Sequence, residues 1–123
     1  MIRQNQKPRK DGGSMKLLVT DNHDGEGSFP LFKKGTAVND FKPVNEESHW
    51  YSCSIEGHST YIPDTYVVDG VLALDYDPTE MIARKGDTVR LVAVVFEWLY
   101  VEDESGKQGW LPSSKAVSKW QKP

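Results

Sequence analysis

The sequence has a single cysteine, Cys53, and no long hydrophobic segment. One thiol cannot form a disulfide within the chain, which favours a reduced, cytoplasmic setting, with a secreted domain without disulfides as the alternative. No apolar run reaches the roughly 18 residues that suggest a membrane span. Residues 1–14 contain basic side chains but no apolar segment, unlike a secretory signal. We therefore expect no membrane partner.

Positive charge is also scarce after residue 14. Residues 15–69 carry nine acidic and four basic side chains, a formal charge of −5, and residues 70–123 carry eight and seven, a charge of −1. A protein that binds nucleic acid needs a basic face to neutralise phosphates. The acidic balance therefore argues against nucleic acid as a partner.

The first fourteen residues have the opposite charge, +3, and few apolar side chains. Such a segment cannot bury enough apolar surface to fold. Gly12-Gly13-Ser14 also stands directly before Met15, as a linker stands before a native start. We expect residues 1–14 to be a disordered basic tail or an added segment.

The sequence lacks the patterns that catalysis or metal binding would need. His23, His49 and His58 have no metal-ligand spacing with Cys53. No glycine-rich loop precedes a helix to hold a phosphate, and nothing pairs a serine with a histidine as nucleophile and base. The sequence predicts a non-enzymatic protein without a metal or cofactor.

Short β-type segments make up the chain after Met15, and Gly, Pro, Asn and Asp separate them. No segment shows a helical period. Many short strands with frequent turns are typical of β-sandwiches and β-barrels. The predicted strands are 16–20, 36–41, 49–55, 59–62, 71–74, 88–95, 98–103 and 108–111.

The two halves of the sequence repeat one pattern in the same order. A charged turn comes first, then a tryptophan, then an aromatic-aliphatic-proline triplet. The matching pairs are Phe32-Lys33-Lys34-Gly35-Thr36 with Ala83-Arg84-Lys85-Gly86-Asp87, Trp50 with Trp98, and Tyr61-Ile62-Pro63 with Trp110-Leu111-Pro112. The repeat predicts a duplicated unit of about 50 residues, with domains at residues 15–69 and 70–123.

Strand alternation assigns the two repeated tryptophans to a polar face. Tyr51, Cys53 and Ile55 share one face, which leaves Trp50 on the other. Trp98 alternates with Leu99 in the same way. A large aromatic side chain on a wet surface is more often a contact point than a packing element. The alternative is a tryptophan covered by a neighbouring loop or by the other repeat.

These motifs together resemble the SH3 (Src homology 3) domain. The opening motif of that family is similar to Ala73-Leu74-Asp75-Tyr76, its charged turn to Lys85-Gly86-Asp87, and its closing motif to Gly109-Trp110-Leu111-Pro112 and Tyr61-Ile62-Pro63. The matches extend from residue 16 to residue 118. The resemblance implies an all-β chain of two consecutive small SH3-like β-barrels.

The resemblance also implies an aromatic groove on each barrel that binds proline-rich peptides, with acidic residues that attract a basic ligand. The first groove would comprise Trp50, Pro63 and Tyr66, with the acids Asp24, Glu26, Glu46 and Glu47. The second would comprise Tyr76, Trp98 and Pro112, with the acids Asp75, Asp77, Glu80 and Glu97. The opening tyrosines of the first groove fall near Thr20 and Asn22, and the closing tyrosine of the second falls at Lys115.

The function that follows is an adaptor or scaffold module that binds a proline-containing, basic peptide segment of another protein. Two alternatives stay open at this point. Bacterial SH3-like modules bind cell-wall peptides or glycans, and a pair of barrels can also serve only as a spacer or assembly domain.

Overall fold

A computed structural model describes residues 15–25 and 27–118. The predicted tail at residues 1–14 and the candidate acid Glu26 lie outside the described residues. The described chain is all-β, with antiparallel pairing throughout and two single-turn 3₁₀ helices at Asp64–Tyr66 and Ser113–Lys115. Its strands are β1 Lys16–Val19, β2 Asn39–Pro43, β3 Trp50–Ile55, β4 His58–Pro63, β5 Val67–Val68, β6 Val71–Leu72, β7 Thr88–Val95, β8 Trp98–Glu102, β9 Gln108–Pro112 and β10 Ala116–Ser118.

The described residues form two compact units. One, the continuous unit, comprises residues 25–80; the other, the split unit, comprises residues 15–24 and 81–118. The repeat had predicted a division between residues 69 and 70. The structure divides the chain differently because β1 forms its backbone hydrogen bonds with β7 and β10, far along the sequence.

The split unit contains a five-stranded antiparallel sheet in the order β10-β1-β7-β8-β9. Among the described residues, β10 and β9 remain its two edges, so strand pairing does not close the sheet into a barrel. A core of aliphatic side chains lies on one face, as alternation in a half-buried strand requires. Its buried members are Leu17, Val19, Met81, Ala83, Val89, Leu99, Val101 and Leu111.

The continuous unit contains a three-stranded sheet, β2-β3-β4, and the short pair β5-β6. Single bridges join Phe32 to Tyr76 and Ala37 to Val71. The strand predicted at 36–41 lies further along the sequence, as β2 at Asn39–Pro43. Its register with β3 is irregular, and Asp40 within it has a left-handed backbone (φ 53°). The buried apolar side chains of this unit are Phe32, Val38, Cys53, Ile55, Ile62, Leu72 and Tyr76.

Equivalent hydrogen bonds align the two units residue by residue. The amide of Gly35 donates to the carbonyl of Leu72 over 2.8 Å, and that of Gly86 donates to Val19 over 2.8 Å. The amide of Ala73 likewise donates to Tyr66 and that of Thr20 to Lys115, both over 2.8 Å. The opening segment of the first repeat therefore belongs to the split unit, which contains Trp98. The opening segment of the second repeat belongs to the continuous unit, which contains Trp50.

Candidate functional site

Trp50 begins β3 in the continuous unit and pairs directly with Pro63 on β4. Cys53 and Ile55 are buried on the core face, and Trp50 is half-buried on the opposite face with Ser52 and Ser54. The structure therefore agrees with the face that alternation predicted for Trp50. Pro63 is almost fully buried, so it does not offer its own ring to solvent.

The loop before Trp50 is held by its own side chains. The Asn45 side-chain oxygen accepts the amide of Glu47 over 3.0 Å. At its end, His49 Nδ1 lies 3.0 Å from the Asp64 carboxylate, and the Asp64 amide donates to the His49 carbonyl over 2.7 Å. Glu46 and Glu47 are exposed in this loop, so their charge is available next to Trp50.

Tyr66 and Tyr76 pack edge to face in the continuous unit, with ring centroids 5.4 Å apart and an interplanar angle of 90°. Tyr66 is half-buried, whereas Tyr76 is only 3% exposed and donates from its hydroxyl to the Tyr61 carbonyl over 2.6 Å. Burial raises the pKa of Tyr66, and it raises that of Tyr76 well above its ordinary value. Tyr66 therefore presents a ring at the surface, and Tyr76 fixes its orientation.

This arrangement regroups the predicted grooves. The sequence placed Tyr76 with Trp98 and Pro112, but the structure places Tyr76 in the unit of Trp50, Pro63 and Tyr66. The physical reason is the Phe32–Tyr76 bridge, which holds Tyr76 in the continuous unit. The continuous unit therefore has both the opening and the closing tyrosine that the sequence comparison had divided between two grooves.

A shallow cleft of about 420 Å³ lies along the same sheet, over Ser52, Ser54, Ser59 and Tyr61. Ser52 and Ser54 alternate with the core residues and so share the face of Trp50. Tyr61 is 50% exposed and pairs with Ser52 across the sheet. Asp40 and Lys42 also line the cleft. Hydroxyl and charged groups beside the Tyr61 ring suit an extended ligand that carries backbone amide and carbonyl groups.

The candidate acids differ in their hydrogen bonds and in their exposure. Asp75 accepts the amide of Lys34 over 2.8 Å, and Asp77 accepts that of Thr79 over 3.0 Å, so these carboxylates hold turns. Asp24 pairs with Arg84 Nη1 at 2.8 Å in the split unit. Glu46, Glu47 and Glu97 are exposed, and Glu80 is half-buried.

In the split unit, Trp98 begins β8 and pairs with Pro112, in the same way as Trp50 pairs with Pro63. The side chains of Trp98 and Pro112 are half-buried, whereas Trp110 is 5% exposed. The His23 ring lies edge-on to Trp98, with centroids 6.2 Å apart. The Nζ atom of Lys115 lies 2.9 Å from the Asn22 carbonyl and 3.4 Å from His23 Nδ1.

Sequence reasoning missed His23 as a neighbour of Trp98. The repeat placed the missing tyrosines near Thr20 and Asn22, which precede His23 by three residues and by one residue. The signal that corrects this is the bridge register, because His23 pairs with Ala83 as Tyr76 pairs with Phe32. Ala83 and Phe32 had already been aligned from the charged turns.

Other groups in the described part of the chain have structural explanations. Cys53 is buried, and burial raises the pKa of its thiol to about 11, so it remains a neutral core residue. Asp103 accepts hydrogen bonds from Ser105 and Lys107 within one turn, which lowers its pKa. Among residues 15–25 and 27–118, no cluster of three His, Cys, Asp or Glu side chains is arranged to bind a metal ion.

The described residues contain no helix with the length and hydrophobicity to cross a membrane. Comparison of the chain with protein-family models, with curated proteins and with solved structures found no match.

Proposed function

We propose that this chain is a non-enzymatic protein-interaction module with two SH3-like units, and that its continuous unit binds a basic, proline-containing peptide. The observation that carries the proposal is that one unit contains two half-buried aromatic residues, Trp50 and Tyr66, of which Trp50 pairs with the buried Pro63 and Tyr66 packs on the buried Tyr76. A polyproline II segment is already stiff, so it loses little conformational entropy when its rings stack on such aromatic surfaces.

The resemblance to SH3 domains supports the proposal through its order of motifs and through the strand order. The split unit has the sheet order β10-β1-β7-β8-β9, in which the last strand pairs with the first. The continuous unit repeats the same local hydrogen bonds. A short 3₁₀ turn follows each proline, at Asp64–Tyr66 and Ser113–Lys115.

Charge supports a basic ligand for the continuous unit. Residues 25–80 hold ten Asp and Glu residues against three Lys and no Arg, a formal charge of −7. Such a field speeds the encounter with a basic peptide and weakens as salt screens it, over roughly 10 Å at 0.1 M. A cytoplasmic location belongs to the same proposal, because a single buried thiol fits a reducing compartment.

A chemical-shift titration of the full chain tests the proposal. The probes are a short proline-rich peptide with two central Lys residues and, separately, soluble cell-wall fragments. We expect the Lys peptide to shift the indole signal of Trp50 and the amides of Glu46 and Glu47. A response to the cell-wall fragments alone would favour the bacterial module, and no response to either would favour a spacer.

A further inference from the structure

The two units differ at the position where one of them has an aromatic pair. Tyr66 and Tyr76 in the continuous unit correspond, by backbone hydrogen bonds and bridge register, to Lys115 and His23 in the split unit. Both pairs are in direct contact, since Tyr66 packs on Tyr76 and Lys115 Nζ approaches His23 Nδ1 to 3.4 Å. An aromatic wall in one unit is thus replaced by a cation and an imidazole in the other.

Several contacts hold the Lys115 ammonium group near Trp98. Its Nζ donates to the carbonyl of Asn22 over 2.9 Å, and the Asn22 side chain in turn accepts the amide of Lys85 over 2.8 Å. His23, which contacts Lys115, lies edge-on to Trp98. The Lys115 ammonium group is therefore held at Asn22 and His23, and the His23 ring in turn contacts Trp98.

Among residues 15–25 and 27–118, no ion pair joins the Lys115 ammonium group to a carboxylate, and Asp24 is paired with Arg84. An ammonium has three donors: the Asn22 carbonyl takes one, and His23 Nδ1, 3.4 Å away, accepts a second in the tautomer that leaves this nitrogen without a proton. Hydrogen bonds to an ionised partner are about twice as strong as neutral ones, so a ligand carboxylate suits the donor that remains.

The overall charge of the split unit agrees with a different ligand. Residues 15–24 and 81–118 hold seven Asp and Glu residues against six Lys and Arg, a formal charge of −1, compared with −7 in residues 25–80. Most of the negative charge therefore belongs to residues of the continuous unit. Of the acids in the split unit, Glu97 is the sequence neighbour of Trp98.

From this geometry we infer that the split unit binds an acidic, proline-containing peptide, with Trp98 and Pro112 as the apolar surface and Lys115 as the carboxylate-binding residue. The inference rests on the proposed function only in that both units bind extended peptides. The chain would then hold two ligands of opposite charge, or two segments of one partner.

Three fluorescent peptides that differ only at two central positions test the inference. They share one proline-rich frame and carry Glu, Lys or Gln at those positions. On the full chain, the Glu peptide is expected to shift the Trp98 indole signal, and the Lys peptide the Trp50 indole signal. Lys115→Gln should weaken the Glu peptide about tenfold, the effect of losing one charged hydrogen bond, and should leave the Lys peptide unchanged.

Matched variants separate recognition from general charge. Lys107→Gln removes the same charge from an exposed position of the same unit and should change the Glu peptide little. Lys115→Arg should retain the preference for Glu, and Glu97→Gln should strengthen it. Equal binding of the three peptides at Trp98, or equal losses in Lys115→Gln and Lys107→Gln, would overturn the inference. Failure of the Lys peptide at Trp50 would instead count against the proposed function.

Discussion

Trp50 and Trp110 illustrate how exposure separates a contact residue from a core residue. Trp50 is half-buried beside exposed acids, whereas Trp110 is 5% exposed and its ring lies 4.8 Å from that of Tyr100. We expect Trp50→Ala to abolish binding of the Lys peptide and to cost about 1 kcal/mol of unfolding free energy. Trp110→Ala should cost about 3–5 kcal/mol, because it leaves a cavity.

Urea unfolding and peptide titration of the same variants check this prediction. Trp98→Ala is the matched control, since it removes the equivalent tryptophan of the split unit and should leave the Lys peptide bound. A loss of several kcal/mol in Trp50→Ala would mean that this ring is a packing element.

Cys53 provides a prediction about alkaline pH. Burial raises the pKa of its thiol from 9.0 to about 11, while the unfolded chain keeps the ordinary value. The unfolded state therefore loses the proton first, and the free energy of unfolding falls as pH rises from 9 to 11. Two pKa units correspond to about 2–3 kcal/mol.

Cys53→Ala removes this titration, so the variant should lose less stability than the wild type between pH 9 and pH 11. Denaturant melts at a series of pH values measure the difference. Parallel stability curves for the two proteins would show that the thiol ionises as readily in the folded state. Tyr66 remains in both proteins, but Cys53 contributes to the raised pKa of Tyr76, so the comparison measures the thiol together with its coupling to Tyr76.

At the scale of elements, the turns explain why most strands were predictable. Two-residue loops join β3 to β4 at Glu56-Gly57 and β5 to β6 at Asp69-Gly70, and all four residues have positive φ. Glycine in the second position is typical of such turns and marks them in the sequence. Strands β5 and β10, of two and three residues, were missed because so short a segment shows no alternation.

The loop between β7 and β8 uses less suitable residues for the same turn. Phe96 and Glu97 have φ values of 45° and 73°, a region that side chains other than Gly, Asn and Asp rarely adopt. We expect Phe96→Asn with Glu97→Gly to raise the unfolding free energy by about 1 kcal/mol or more. Gly57→Ala, where φ is 84°, should lower it by about 1 kcal/mol.

Thermal unfolding of these two variants beside the wild type tests the argument about backbone strain. The two variants are expected to change the unfolding free energy in opposite directions. Each therefore controls for a general effect of substitution at a turn. If the Asn-Gly variant were less stable than the wild type, contacts of the Phe96 ring would have to outweigh its backbone strain.

At the scale of the whole molecule, the sequence predicted the all-β class and the half-exposed positions of Trp50 and Trp98. It did not predict which opening segment belongs to which unit. The repeat fixes the order of motifs along the chain, but strand pairing depends on partners that lie far apart in sequence. The aromatic pair of Tyr66 and Tyr76 was therefore divided between two predicted grooves, and the contact of Lys115 with His23 was not foreseen.

The division into a continuous and a split unit makes a prediction about fragments. The ends of residues 25–80 are adjacent, since a Cβ atom on Gly25 would lie 3.0 Å from that of Glu80. In the split unit, His23 and Ala83 exchange backbone hydrogen bonds of 2.9 Å, so a short turn can join Asp24 to Met81. Adjacent ends at the surface are typical of units that tolerate insertion or excision.

We therefore expect residues 25–80 alone, and residues 15–24 joined to 81–123 through Asn-Gly, each to unfold cooperatively. Fragments 15–69 and 70–123 should not, because the first lacks β6 and the buried Tyr76, and the second lacks β1, which lies between β10 and β7. The dispersion of amide signals in NMR spectra and urea melts of the four fragments show which of them fold cooperatively. Cooperative unfolding of 70–123 would require that β7 and β10 pair without β1, which would restore the simple tandem arrangement that the repeat had predicted.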